Sequence, residues 1–313
     1  MRLLVVTGRY PTADRPDAGS FVASRLEGLA GVTVIAPQRY DRPAWLRYLA
    51  LLWRAVTARG PFSGVEGHFV LPSGPIALVA ARLRGIPLVI YAHGGDVREL
   101  AHVNPLLGWL ARTVLHGAAV TVTNSTVTAA QVRRLGVEAE VVPPGVDLSR
   151  FRPTPRPARR RVLYLGGSTP LKGYEVARAL ADTLLGPGLR VVGHDDVRAL
   201  LAEHDVVLVP SQHEPFGLVA AEAIAAGRWV VARAVDGLPE VIEDGINGTL
   251  VSDGDFAKAL AAIPDYDPER VAATGGRFSI EVHRAAMEAI WNRVLASGSR
   301  SGGRYSSRER RVP

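Results

Sequence analysis

The run Ser211-Gln212-His213-Glu214-Pro215-Phe216-Gly217-Leu218-Val219-Ala220-Ala221-Glu222-Ala223 holds the residue types best suited to chemistry. An apolar strand ends at Pro210, and a helix is expected over residues 215–226, with proline in the first turn where its missing N–H does no harm. The N–H groups of Phe216, Gly217 and Leu218 then point outward, unpaired, at the positive end of the helix dipole, and a diphosphate is the natural occupant. Gly217 has no side chain to hold phosphates away. Glu214 and Glu222 flank that seat and would repel an anion unless they accept hydrogen bonds from something neutral, such as sugar hydroxyls. One carboxylate on each side of a diphosphate fits a nucleotide sugar, with ribose on one flank and hexose on the other. Glu214 as a helix cap and Glu222 as a surface residue fit the spacing equally well, so spacing alone leaves both readings open.

The elements that must position these residues alternate short apolar runs with amphipathic stretches, the pattern of a parallel sheet covered by helices. In the first half, strands are expected at residues 2–7, 32–36, 64–70, 88–91, 119–123 and 140–142. Helices are expected between them at 21–29, 44–58, 75–83, 105–116 and 127–135. The Pro- and Arg-rich stretch 150–161 reads as a stiff linker. Strands resume at 161–165, 189–192, 206–209, 229–232 and 249–251, with helices at 174–184, 197–203, 215–226 and 256–262. A last helix covers about 280–295. The α/β reading is two doubly wound domains, 1–149 and 162–279, then a crossover helix at 280–296 and a basic tail at 297–313 expected to be disordered. Sheets of this kind bind ligands at the carboxyl ends of their strands, so a cleft shared by the two domains is the expected site.

Composition narrows the function. The 313 residues contain no cysteine, which excludes a disulfide scaffold, a zinc–cysteine cluster and thiol catalysis. The net charge of +7 is concentrated in two segments, since 150–161 holds six arginines and no acid and the tail holds five arginines and one glutamate. The remainder is slightly acidic, and no zinc-finger spacing or basic-aromatic motif is present, so nucleic acid is not an expected partner. No secretory signal and no run of about 20 apolar residues is read, which suits a cytoplasmic protein. One amphipathic stretch, 44–58, places Trp45, Leu49, Leu52, Trp53 and Val56 on one face and Arg47 and Arg54 on the other. It suits either a core-packed helix or one resting on an anionic membrane, and the basic tail is a second candidate for peripheral contact at the inner face.

EPFGLVAAEAIAAG followed by DGLPEVIEDGINGTLV resembles the donor-binding region of retaining glycosyltransferases of family 4, whose GT-B fold faces two Rossmann-like domains across a cleft. The resemblance covers most of the chain. YPTADRPDAGSFVASR resembles the family's N-terminal glycine loop, HGGD its acceptor-domain histidine motif, and PPGVDLSRF its interdomain connection. FSIEVHRAAMEAIWNRVL resembles its C-terminal helix, which packs back across the first domain. By matching position, the resemblance implies that Glu214 holds the transferred sugar and Glu222 the ribose, with backbone donors from Phe216, Gly217 and Leu218. It implies that Lys172 in STPLKG neutralises the leaving diphosphate, that Gly19 lets the backbone approach the same phosphates, and that His93 orients the sugar. A fixed cation beside a departing diphosphate lowers the barrier to transfer. The implied activity is transfer of a hexose-type sugar from a UDP- or GDP-linked donor to an acceptor hydroxyl, with retention and without a metal or other cofactor. The acceptor, a glycan, lipid or small metabolite, is expected near Arg9, Tyr10, Asp96 and His93.

The sequence departs from the family pattern twice. Gly167 in LYLGGSTPLKG stands where an arginine normally shares the diphosphate with the lysine, which removes a charge-assisted contact, and Arg159 or Arg161 of the linker are candidate substitutes. Only 32 positions separate Gly173 from Asp205, about one βα unit short of the family pattern, and the base is expected near residues 193–197. A sugar-nucleotide epimerase and a non-catalytic sugar-nucleotide-binding protein are the alternative readings.

Overall fold

The structure, a computed structural model, describes residues 1–16, 18–98, 104–189 and 194–301. The expected strand at 189–192 lies mostly outside the described residues, as do part of the expected base-reading stretch 193–197 and the tail from 302 onward.

Six strands form the first sheet: β1 (Leu3–Thr7), β2 (Val32–Ile35), β3 (Gly64–His68), β4 (Leu88–Ala92), β5 (Val120–Thr123) and β6 (Glu140–Val141). They run parallel in the order β2-β1-β3-β4-β5-β6. Alternate side chains enter opposite cores: Leu4, Val6, Leu88 and Ile90 go to one face, Leu3, Val5, Val89 and Tyr91 to the other. Helices Ala44–Thr57, Gly74–Arg84 and Pro105–Gly117 lie side by side over the first face. The second face is covered by helix Ser20–Leu26 and by the last helix, Ile280–Ser301.

Five strands form the second sheet: β7 (Val162–Tyr164), β8 (Thr183–Leu184), β9 (Val206–Val209), β10 (Trp229–Arg233) and β11 (Gly248–Val251), parallel in the order β11-β10-β9-β7-β8. Each sheet reverses its winding once, between β1 and β3 and between β7 and β9. Crevices at the carboxyl ends open at such points.

Two chain crossings join the domains. Val146 N–H donates to Phe278 O at 2.7 Å, and Ile280 N–H donates back to Val146 O at 2.8 Å. The last helix then returns to the first domain, burying Met287, Ile290, Trp291 and Val294 against Leu3, Val5 and Tyr91. This is the crossover that the resemblance implies.

The structure corrects three sequence-based elements and adds three short helices. The helix expected over 174–184 stops at Leu180, because Asp182 takes the N–H of Val162 at 2.7 Å and draws Thr183 and Leu184 into the sheet beside β7. The helix expected from Pro215 starts at Leu218, since Gly217, with a left-handed backbone, is its N-cap. The last helix continues past residue 296 to Ser301, so the first residues of the expected tail are helical. Short helices Gly95–Arg98, Leu238–Val241 and Pro268–Thr274 carried too little periodicity to be read.

Candidate active site

The carboxyl ends of both sheets face a cleft of about 750 Å3. From the second domain it is lined by Lys172, Glu214, Phe216, Gly217 and Leu218, and from the first by Arg9, Gly19, His93 and Asp96. These expected residues come from five separate segments, and the fold brings them together.

On the C-terminal wall, Lys172 ends the short 3-10 turn Pro170–Lys172 after β7, and Glu214 lies on the loop after β9. Gln212 N–H donates to Leu171 O at 2.9 Å and ties the two loops together. Lys172 Nζ consequently reaches Glu214 Oε2 at 2.7 Å, with the Ser211 hydroxyl donating to the same oxygen at 3.3 Å. The Asp236 carboxylate accepts the Glu214 N–H at 3.0 Å, and Gly237 N–H donates to Glu214 O at 3.0 Å, which fixes the backbone of this loop. Helix Leu218–Ala225 begins here with no side-chain cap, and among the described residues no hydrogen bond takes up the N–H of Phe216, Gly217 or Leu218. An uncapped helix end beside an ammonium group is suited to a multiply charged anion.

The N-terminal wall is organised differently. His93 follows β4, and its ring stacks on Tyr91 at 4.6 Å between centroids and lies 4.5 Å from the Phe69 ring. His93 Nε2 is 3.1 Å from His68 Nδ1, and His68 Nε2 is 2.9 Å from Glu66 Oε1. Glu66 is paired with the Arg25 guanidinium and also accepts the Trp291 indole N–H at 3.0 Å. Arg25, Glu66, His68 and Trp291 are all buried. A chain of polar groups thus runs from the last helix through the middle of the sheet to the edge of the cleft.

Burial alone would raise the Glu66 carboxyl, but the Arg25 guanidinium and His68 outweigh it and hold its pKa well below the usual range. Burial, assisted by the neighbouring His68 ring and the Arg25 guanidinium, holds His93 well below its ordinary value, and burial likewise lowers His68. Both imidazoles are therefore neutral at neutral pH. His68 Nε2 faces both the Glu66 carboxylate and the Arg25 guanidinium, 3.0 Å away, and Nδ1 faces His93 Nε2.

Several expected residues are placed otherwise. Glu222 does not line the cleft: it is buried at 9% exposure in a helix of small residues. Burial pushes its carboxyl up to about 8, against a smaller opposing pull from Arg150. Asp96 does line the cleft, but its two oxygens accept the N–H groups of Val70 at 2.6 Å and His93 at 3.0 Å, so it shapes the loop. Burial raises it to about 6. Tyr10 packs beside Ser20 and Glu27 in a shallow neighbouring pocket of about 400 Å3, outside the cleft. Gly167 is also away from the cleft, with φ 74°, and a Cβ there would fall 2.3 Å from Pro187 O. An arginine at that position would be strained and would clash, which accounts for its absence. Neither Arg159 nor Arg161 lines the cleft, and Arg161 sits at the amino end of β7, 3.8 Å from Glu203. The stretch 44–58 does pack on the core, but through Leu51 and Ala55, and it leaves Trp45 and Trp53 of the expected apolar face outward, at 64% and 68% exposure.

Glu66, His68, Arg25, Phe69 and Asn124 were not singled out by sequence reasoning. A signal existed for two of them: Glu66 and His68 sit at alternate positions of a strand expected to be buried, where unpaired polar side chains are rare. Phe69 has φ 70°, an outlier for an aromatic residue, and it lines the cleft. Asn124 Nδ2 holds His93 O at 3.1 Å. The domains touch where Gly94 meets Pro215: a Cβ on Gly94 would come within 2.4 Å of the Pro215 Cβ, so only glycine fits. Glu240 completes the contact at the N-terminus of helix Thr126–Arg133, accepting from Thr126 N–H at 3.0 Å and Thr126 Oγ1 at 2.7 Å. Among the described residues no group of three or more His, Cys, Asp or Glu is placed to hold a metal ion.

Comparison with known proteins finds two family matches end to end. Residues 1–145 match the glycosyl transferase 4-like domain, and residues 149–263 match glycosyl transferases group 1. The chain is 31% identical to the D-inositol 3-phosphate glycosyltransferase of Mycobacterium tuberculosis strain H37Rv, over 93% of this chain and 71% of the relative. The Mycobacterium bovis BCG Pasteur enzyme of the same name matches equally. That aligned span, 354 residues, is longer than this chain, so the relatives carry residues it lacks. Sucrose-phosphate synthase from Thermosynechococcus elongatus superposes with a TM-score of 0.72 at 18% identity, covering 95% of this chain and all of the other. Anabaena HepE, solved with UDP and glucose, gives 0.70 at 18% identity, covering 93% of this chain and 99% of the other.

Proposed function

The chain belongs to the group 1 glycosyl transferases, with the GT-B fold, and we propose that it moves a hexose-type sugar from a nucleoside diphosphate to an acceptor hydroxyl. The observation that carries this reading is the Lys172–Glu214 pair, 2.7 Å apart, beside the uncapped start of helix Leu218–Ala225 and opposite His93. As they stand, the two charges satisfy each other. A diphosphate seated on the helix end would draw the Lys172 ammonium to itself and release Glu214 to accept hydrogen bonds from sugar hydroxyls. Negative charge builds on the departing phosphate as the glycosidic bond breaks, and the ammonium and the helix N–H groups are fixed in advance where it builds. Lys172 would act alone here, without the partner arginine that Gly167 replaces.

His93, neutral and held by His68 through Nε2, would turn its other ring nitrogen to a sugar hydroxyl. Glu222 is assigned to ribose by resemblance only, and its burial makes that contact the least supported of the set. Retention of configuration rests on the family, in which the leaving diphosphate helps to deprotonate the acceptor. Chemistry without a metal is proposed because Lys172 and the helix end supply the positive charge. Arg9, Arg15 and Arg47 line the first-domain side of the cleft, where among the described residues the only acid, Asp96, is engaged with backbone. An acceptor carrying phosphate or carboxylate fits that charge, and the mycobacterial relatives are named for a phosphorylated polyol.

Thermal-shift measurements with UDP, GDP and ADP test the donor site, since a bound ligand raises the melting temperature by mass action. UDP comes first because HepE has been solved with UDP-glucose. One of the three should raise the melting temperature, and Lys172→Ala should abolish most of the rise. No shift with any of them, or an undiminished shift in the variant, would remove the diphosphate from this site.

A further inference from the structure

We propose that the outer surface of the three-helix layer, formed by Ala44–Thr57, Gly74–Arg84 and Pro105–Gly117, docks on an anionic lipid bilayer. These helices lie side by side and each turns one apolar side into the core, through Leu51 and Ala55, Ala77 and Ala81, and Ala111 and Val114. The opposite side of each is also apolar. Trp45, Leu49 and Trp53 recur every four residues along the first helix at 64%, 56% and 68% exposure. Leu83 stands at 66% on the second, and Leu106 and Trp109 at 60% and 59% on the third. Of the fourteen exposed large hydrophobic side chains among the described residues, eight lie on these three helices. A patch of this extent on a water-soluble surface marks an interaction site.

Two observations select lipid over protein. The chain has five tryptophans; Trp229 and Trp291 are buried at 1% exposure, and all three exposed ones, Trp45, Trp53 and Trp109, lie on this face. Indole combines an apolar ring with one N–H donor and concentrates at the boundary between water and acyl chains. The three helices also contain no aspartate or glutamate, while they carry five arginines, of which Arg82 and Arg112 are exposed. An apolar surface framed by cations and free of acids complements anionic headgroups. The first of these helices also sends Arg47 and Tyr48 into the cleft, so the docked face would border the site.

Flotation of the full chain with phosphatidylcholine vesicles, with and without phosphatidylglycerol, tests the proposal in the absence of any sugar nucleotide. Failure of the transferase reading therefore leaves this test intact, and the reverse also holds. The protein should float with the mixed vesicles and only weakly with the neutral ones. Brominated lipid should quench its tryptophan emission. Replacing Trp45, Trp53 and Trp109 together by serine should reduce vesicle partition by about tenfold or more. Because all three are exposed, the variant should keep its melting temperature. Arg82→Ser with Arg112→Ser should weaken the preference for the anionic vesicles. Three results would each overturn the proposal: no flotation, flotation unchanged by the tryptophan substitutions, which would place binding on the basic tail, or a dimer that shields these tryptophans from acrylamide.

Discussion

The two walls of the cleft stand on the same doubly wound architecture and treat their charges in opposite ways. On the C-terminal wall, Lys172 and Glu214 are partly exposed and pair with each other alone or with a single hydroxyl. On the N-terminal wall, Glu66 is fully enclosed and every oxygen is engaged, by Arg25, His68 and Trp291. Solvent lowers the cost of separating the first pair, so it can exchange partners when an anion arrives. The second cluster has no such relief, since a buried charge left unpaired costs several kcal/mol. One wall is thus suited to grip and release, the other to hold an imidazole at a fixed angle and in a fixed protonation state.

Breaking the buried cluster should therefore have the largest effect on the fold. Glu66→Gln is expected to lower stability by about 3–5 kcal/mol, read from urea unfolding, because it leaves the Arg25 guanidinium without a counter-charge. A loss below about 1 kcal/mol would mean that the two walls do not differ in the way described. The exposed wall should show the converse. Glu214→Ala is expected to reduce turnover by about 100- to 1,000-fold, measured as nucleoside diphosphate released, while the melting temperature stays within about 2 °C. Near-normal turnover would take Glu214 out of the mechanism.

Glu222 sharpens the comparison because it is a buried acid in the helix behind the more open wall. Its pKa of about 8 lies above the roughly 4.3 of an unfolded glutamate. Between those values the folded chain keeps a proton that the unfolded chain has lost, so stability should fall as pH rises and level off above about 8. Melting temperatures at pH 5.5 and pH 8 should differ by several degrees in the parent and by less in Glu222→Gln. Equal slopes in the two proteins would assign the pH dependence elsewhere. The smallest effect is expected at the contact between the walls. Glu240→Ala removes the acceptor of Thr126 N–H and Oγ1 while leaving the Ser125 cap of helix Thr126–Arg133, and should cost about 0.5–1 kcal/mol, with weaker nucleotide binding if the contact also holds the walls at their spacing.

Much of the architecture was legible because it follows from local pattern. Apolar runs of four or five residues marked β1, β4, β9 and β10, and the helices between them followed from their amphipathic period. The strand at Thr183–Leu184 was not legible, since two residues carry no periodicity and its place is fixed by pairing with β7. On the C-terminal wall the helix end and Glu214 could be read from residues 211–223, because a helix end and the loop before it are local objects, whereas Lys172 in STPLKG was reached through the family resemblance.

What the sequence by itself determined was the pair of α/β domains, the helix end that offers free N–H groups, and the identity of the cation and carboxylate beside it. Tertiary structure alone decided that Glu222 is enclosed, that Gly167 has no room for a side chain, and that Glu66 meets Trp291 from 225 positions away. The reason is physical: free N–H groups at a helix end follow from neighbours in the chain, whereas burial and charge pairing depend on which distant segments exclude water from a given atom.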